Sequence, residues 1–185
     1  MQELYQAVRS GEAARVATLV AADPSLAIFA AAIAGDESAA ETLLTGNRGL
    51  VSRISSDGWT PLHLAAHFSK AGVVRVLLNK GAKVDALSEN ALRNTALHAA
   101  AAGQALEAAN VLVTHGANVN ARQHGGWTPL HAAAQSGAVE FARLLIENGA
   151  DVNVRAENQQ RPIDLALTKG QQAMVDLLES HGASL

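Results

Sequence analysis

The sequence contains no cysteine, and only 3% of its 185 residues are aromatic. The absence of thiols excludes disulfides, cysteine nucleophiles and cysteine-based zinc sites. Lys and Arg number 14 against 17 Asp and Glu, and the net charge of -3 provides no basic footprint for nucleic acid or an anionic membrane. The first residues contain no apolar run of the length of a signal peptide, and nowhere does the sequence contain a run of about 18 apolar residues that would predict a membrane span. We therefore expect a cytoplasmic protein with neither a membrane nor a nucleic-acid partner.

Alanine supplies most of the apolar fraction, which is 49% of the chain. Alanine has the highest helix propensity of all residues and a very small side chain. The composition therefore predicts thin, closely packed helices.

The sequence repeats itself with a period of about 33 residues. TPLHLAA at Thr60 recurs as TALHAAA at Thr95, TPLHAAA at Thr128 and RPIDLAL at Arg161, in steps of 35, 33 and 33 residues. A Gly-Ala pair stands 21 residues after each start, at Gly81, Gly116, Gly149 and Gly182. Whole units are therefore repeated, and a stack of units is expected because one unit alone cannot bury its apolar face.

Each unit is predicted to form two short helices and a turn. Thr128 is a helix N-cap residue, and Pro129 occupies the first helical position, where its missing N–H has no cost. Gly137 is the residue expected at a left-handed C-cap. Residues 139–146 then place apolar side chains three and four positions apart, the pattern of a helix buried on one side. Gly149 ends this second helix.

The period, the TPLH motif, the LL-x-x-GA ending and the GADVN and GANVN tails resemble the ankyrin repeat family. The resemblance implies an all-α solenoid of stacked helix-turn-helix units with β-hairpin fingers, and extends over nearly the whole chain. We expect one domain, 1–185, of about six units: an N-terminal cap (1–25), repeats at 26–59, 60–94, 95–127 and 128–160, and a C-terminal cap (161–185).

One unit departs from the repeat. The 35-residue step lengthens the finger at 83–94 by two residues, and this finger carries Leu87 and Leu92. Arg93 stands where Gly58 and Gly126 stand in other units. Because glycine readily adopts a positive φ, the turn at Arg93 is predicted to differ in backbone conformation.

Few residues suggest catalysis or metal binding. His63 and His67 have the i, i+4 spacing that places two imidazoles on one helix face, as metal sites require. The alternative is that His63 belongs to TPLH and bonds within and between repeats. Nucleophile-elbow, phosphate-loop and dinucleotide-binding motifs are missing. We expect a non-enzymatic protein without metal or cofactor, and a metal-dependent enzyme using His63 and His67 is a less favoured hypothesis.

The aromatic residues are the better candidates for a binding site. Trp59 and Trp127 both precede the motif threonine, a slot that in ankyrin repeats faces the concave groove on the finger. By the same resemblance, His67 and Phe68 at the end of a first helix face this groove. Both tryptophans are alternatively explained as packing between neighbouring fingers. The predicted partner-binding residues are Trp59, Trp127, Phe68, His67, Asp57, Asn94, His124 and Gln135.

The sequence therefore predicts a non-catalytic interaction module that binds an unidentified protein or peptide on its concave surface. Trp is the residue most enriched in binding hot spots, and a mixed polar and aromatic groove suits a protein partner. A self-associating scaffold that uses the aromatic groove is the alternative, although we expect a monomer.

Overall fold

The computed structural model describes residues 1–184, and this range contains twelve α-helices in six successive pairs. The first helices of the pairs, called the first-helix row, are α1 (Gln2–Arg9), α3 (Ala27–Ala34), α5 (Pro61–His67), α7 (Ala96–Ala102), α9 (Pro129–Ser136) and α11 (Pro162–Thr168). The second-helix row comprises α2 (Ala13–Ala22), α4 (Glu37–Gly46), α6 (Ala71–Asn79), α8 (Leu106–Thr114), α10 (Val139–Glu147) and α12 (Gln172–Ser180).

Local sequence sets where the first helices begin and end. Thr128 and His131 form a reciprocal capping box at the start of α9, which satisfies N–H groups that have no partner inside the helix. Gly137 ends α9 with φ 70°, as predicted for a left-handed C-cap. In two units a non-glycine residue, Ser69 or Gln104, adopts this conformation instead.

The first-helix row is a continuous stack. In the first-helix row every helix packs on the next, from α1 to α11. The apolar residues between the helices are mostly fully buried and include many alanines, such as Ala65, Ala100 and Ala133. Small side chains let helix axes approach closely. The predicted all-α solenoid is confirmed.

Loops that we call fingers precede four of the first helices, at 55–59, 88–94, 123–127 and 156–160. Each is closed by one backbone hydrogen bond, as from Ser55 N to Trp59 O at 2.9 Å and from Gln123 N to Trp127 O at 2.9 Å. No β-strand forms within residues 1–184. The chain reverses as in a hairpin, but the predicted β-ladder is replaced by turns.

Backbone hydrogen bonds also join neighbouring fingers. Glu89 N donates to Gly58 O at 2.8 Å, His124 N to Leu92 O at 2.8 Å, and Glu157 N to Gly125 O at 2.9 Å. The closeness of this approach explains Gly58, because a Cβ there would lie 2.6 Å from Asn90 N. The four fingers are therefore linked in one row.

The prediction for Arg93 is wrong. Its φ is 48°, in the same left-handed region as Gly58 at 81° and Gly126 at 74°. The finger closes from Ser88 N to Asn94 O at 2.9 Å, and this closure requires a left-handed residue just before the finger ends. Turn geometry thus prevails over the residue's own preference.

Replacing Arg93 by Gly is expected to raise the free energy of unfolding by about 0.5–1 kcal/mol, because glycine has no steric penalty at positive φ. Urea unfolding measures the change. Arg93→Ala is the matched control, since it removes the same charge and keeps the Cβ atom. An equal gain in both variants would contradict relief of backbone strain.

Candidate functional site

Four rings form a connected group that we call the aromatic row: Tyr5, Phe68, His67 and Trp59. Ring centroids are 6.0 Å apart between Tyr5 and Phe68, 5.0 Å between Phe68 and His67, and 6.0 Å between His67 and Trp59. All four residues are partly buried. The row combines a helix of the first pair with the end of α5 and a finger, so residues distant in sequence form one apolar surface.

Tyr5 connects the first helix pair to the finger at 55–59. Its hydroxyl donates a hydrogen bond to the Asp57 carboxylate, which also accepts one from Ser55 Oγ. Burial raises the pKa of the Tyr5 hydroxyl, and the hydrogen bond and negative charge of Asp57 raise it further. Asp57 therefore orients the ring and has both carboxylate oxygens engaged within the protein.

The sequence prediction did not include Tyr5 among the binding residues. Tyr5 occupies the position that His63 has in its own unit, the fourth of the TPLH motif. No finger separates the first two pairs, and a longer side chain at that position reaches the finger beyond α3. The sequence signal for this role was a tyrosine at the position of the motif histidine, in a unit that no finger separates from the next.

Trp127 lies apart from the aromatic row. It stacks on His131, with ring centroids 5.6 Å apart and an interplanar angle of 29°. Trp59 instead contacts His63 and His67 edge-on, with centroids at 5.6 Å and 6.0 Å. The structure therefore brings together Trp59, His67 and Phe68, but places Trp127 in a second aromatic contact.

The predicted polar residues divide into buried and exposed positions. Asn94 is only 4% exposed, and its Oδ1 accepts a hydrogen bond from Ser88 Oγ at 2.6 Å. Its assignment as a partner contact is corrected, because its side chain closes its own finger. His124 and Gln135 are exposed, and their side chains are available to a partner.

Three buried motif histidines connect successive units. The Nε2 atoms of His63, His98 and His131 lie 2.9, 3.1 and 3.1 Å from the carbonyl oxygens of Asn94, Trp127 and Gln160. A carbonyl oxygen only accepts, so Nε2 carries the proton. Nδ1 then accepts from the motif threonine, 2.7 to 2.9 Å away. Each ring is therefore neutral and joins a helix start to the next finger.

Burial lowers the pKa of these imidazoles. The pKa of His98 falls to about 4, mainly through desolvation, and that of His63 and His131 also falls for this reason. A neutral ring suits their donor and acceptor pattern, since a protonated Nδ1 would have to donate to the threonine hydroxyl.

The hydrogen bonds of His63 do not fit a metal site with His67. Both nitrogens of the His63 ring are engaged, with Thr60 and with Asn94, and His67 Nδ1 donates to Ala99 O at 3.3 Å. Among residues 1–184 no group of three or more potential ligand side chains is gathered for a metal ion. The i, i+4 spacing instead belongs to a structural histidine and an aromatic-row residue.

Comparison with known proteins gives a consistent relationship. The family model for ankyrin repeats (3 copies) matches residues 4–88, 28–123, 85–156 and 122–185. The Drosophila melanogaster neurogenic locus Notch protein is 40% identical over 88 residues, 47% of this chain and 3% of that protein. The human neurogenic locus notch homolog protein 1 is 38% identical over 101 residues, 54% of this chain and 4% of that protein.

A third relative is the ankyrin repeat protein FPV031 of Fowlpox virus (strain NVSL), 38% identical over 73 residues, 40% of this chain and 21% of the viral protein. The chain thus spans a small part of each of these relatives. Within residues 1–184 no helix has the length and apolar character needed to cross a bilayer. Because the family model covers almost the entire sequence in overlapping matches, the chain belongs to the ankyrin repeat family.

Proposed function

We propose that the chain is a non-catalytic module that binds a protein or peptide partner on the concave surface formed by its fingers and first helices. The observation that carries this proposal is the aromatic row, whose four rings remain partly exposed although they contact one another. Rigid aromatic side chains lose little conformational entropy on binding and provide large contact areas.

Hydrogen bonds organise this surface before any partner arrives. Tyr5 is held by Asp57, and the fingers are linked through backbone bonds such as that from Glu89 N to Gly58 O. A surface already in its binding conformation avoids much of the ordering cost of association. Exposed His124 and Gln135 provide polar contacts around the second aromatic position, Trp127.

Replacing Trp59 and Trp127 together by Ala is expected to weaken the binding free energy of the partner by more than about 2 kcal/mol, the effect of losing hot-spot residues. The partner is first isolated on immobilised wild-type protein and identified by mass spectrometry. Calorimetric titration then measures its affinity for wild type and variant. Circular dichroism at the same concentrations checks that helix content is unchanged.

The matched control is Leu106→Ala, because Leu106 is 40% exposed at the start of α8 in the second-helix row, and its truncation removes apolar area outside the concave surface. Its affinity for the partner should equal that of wild type. Equal retention of the partner by the tryptophan variant would contradict concave binding. A molecular mass that rises with protein concentration and falls in the tryptophan variant would identify self-association instead of the proposed monomer.

A further inference from the structure

One helix of the second-helix row is not packed like the others. From α4 to α12 each helix of this row packs on its successor, whereas the main contacts of α2 are with α1 and the 3₁₀ turn at Pro24–Leu26. None of the residues of α2 is buried, although its sequence, AARVATLVAA, is mostly apolar. A groove is left between α2 and α4.

This groove has a volume of about 820 Å³ and a mostly apolar lining. Its walls include Val16, Ala17 and Val20 from α2 and Ala39 and Leu43 from α4, above a floor that contains Ala30. Binding pockets commonly have volumes of about 300–1,000 Å³ and apolar walls. The side chains are short, so a partner's backbone can approach closely.

Acidic side chains lie at the end of the groove where α2 and α4 begin, whereas Arg53 and Lys80 donate to Ser25 and Thr45 beside the ends of these helices. Residues 1–47 contain six acidic side chains and two basic ones, a net charge of 2 − 6 = −4, so the remaining chain carries −3 + 4 = +1. One of the two arginines, Arg15, is already paired with Glu3 at 3.2 Å. Asp36 lines the groove, and Glu12 precedes the first turn of α2. These carboxylates lie where α2 and α4 begin.

We propose that this groove binds an amphipathic helical segment of a partner protein, with aliphatic side chains toward the groove and Lys or Arg beside them. The apolar walls of α2 and α4 select the aliphatic face, and the acidic end of the groove selects cationic flanks. Because the groove lies on the second-helix row, this site is separate from the aromatic row and does not rest on the concave site proposed above.

Two labelled peptides of about 18 residues, long enough to form a helix, test the proposal by fluorescence anisotropy. Both place Leu and Ala at i, i+3, i+4 and i+7 spacing, and the polar face carries Lys in one and Glu in the other. The Lys peptide is expected to bind about tenfold more tightly at low salt, and the ratio should shrink as salt screens the charges.

The absence of cysteine allows the groove to be blocked by a single thiol reaction. Ala17→Cys places a thiol on the groove wall, and alkylation with N-phenylmaleimide fills the space. Ala14→Cys, exposed on the same helix, is the control for alkylation outside the groove. The Lys peptide should lose about tenfold or more in affinity for alkylated Ala17→Cys, as expected for a blocked hot spot. Affinity for alkylated Ala14→Cys should be unchanged.

Asp36→Asn tests the charge separately from the shape. Asn caps a helix as well as Asp, and Asp36 caps α4 by accepting from Ala39 N at 2.9 Å. The variant should fold normally, and only its affinity for the Lys peptide should be lower than that of wild type. Failure of the Lys peptide to bind, equal binding of both peptides, or binding unaffected by alkylation of the Ala17→Cys variant would overturn the proposal. So would a concentration-dependent mass that alkylation abolishes, because a second copy would then be the occupant.

Discussion

Acidification from pH 7 to about pH 4.5 is expected to lower the free energy of unfolding by about 2–3 kcal/mol through His98 alone. The pKa of this ring is about 4 in the folded protein, whereas an unfolded histidine titrates near its ordinary value of about 6.5. Between these values the unfolded chain binds more protons, so stability falls as pH falls. His63 and His131 are shifted in the same direction and add to the loss.

The measurement is a series of urea unfolding curves between pH 7 and pH 4.5. Asp23 and Asp164 contribute at lower pH, since hydrogen bonds with Ser25 and Arg161 hold the pKa of these two carboxyl groups below its usual value. His98→Gln keeps a side-chain donor and cannot titrate in this range. The slope of the free energy of unfolding against pH should be smaller in the variant than in wild type by about 1 kcal/mol per pH unit. Equal slopes in both proteins would refute the assignment to His98.

Replacing Gly103 by Ala is expected to destabilise the fold by about 3 kcal/mol, at the upper end of overpacking costs. A Cβ at this position would lie 2.1 Å from the carbonyl oxygen of His67. Gly103 is the C-cap residue of α7, with an ordinary φ of −83°. The cost therefore arises from separating α7 and α5, whose backbones meet here, and not from backbone strain at the glycine.

Thermal and urea unfolding of Gly103→Ala and wild type measure this effect. Gly46→Ala is the control, because Gly46 lies in α4 with no atom within 4 Å of its added Cβ. Alanine there should raise the free energy of unfolding by up to about 1 kcal/mol through helix propensity. A small change at Gly103 would show that the two helices separate easily. The hydrogen bond from His67 Nδ1 to Ala99 O should then also lengthen at little cost.

The repeat motif was sufficient to predict the helices and their stacking. Thr128, Pro129 and Gly137 specify a helix start and end through local chemistry, which a sequence displays directly. The turn at Arg93 was mispredicted because the hydrogen bond across its finger imposes a left-handed residue that no local preference indicates. Sequence patterns thus predict local geometry well and are less informative where a hydrogen bond that closes a finger determines the backbone conformation.

The candidate site was predicted less completely than the fold. Trp59, His67 and Phe68 share one surface because they follow the repeat register. Tyr5 was missed as a member of the aromatic row, since its contact with Asp57 depends on a finger that is missing between the first two pairs. Asn94 was misassigned because its burial depends on the hydroxyl of Ser88 across an enlarged loop. The groove beside α2 depends on a distance between helices that no periodicity encodes.

The buried histidines have a further consequence for the order in which parts of the protein unfold. His63, His98 and His131 each tie a helix start to the following finger, whereas Phe29, buried at the same position of its unit, has no polar atom to do so. In a linear array, stability is the sum of each unit and its junctions with its neighbours. The centre of the chain therefore unfolds as a block, whereas local opening and amide hydrogen exchange begin in α2, none of whose residues is buried.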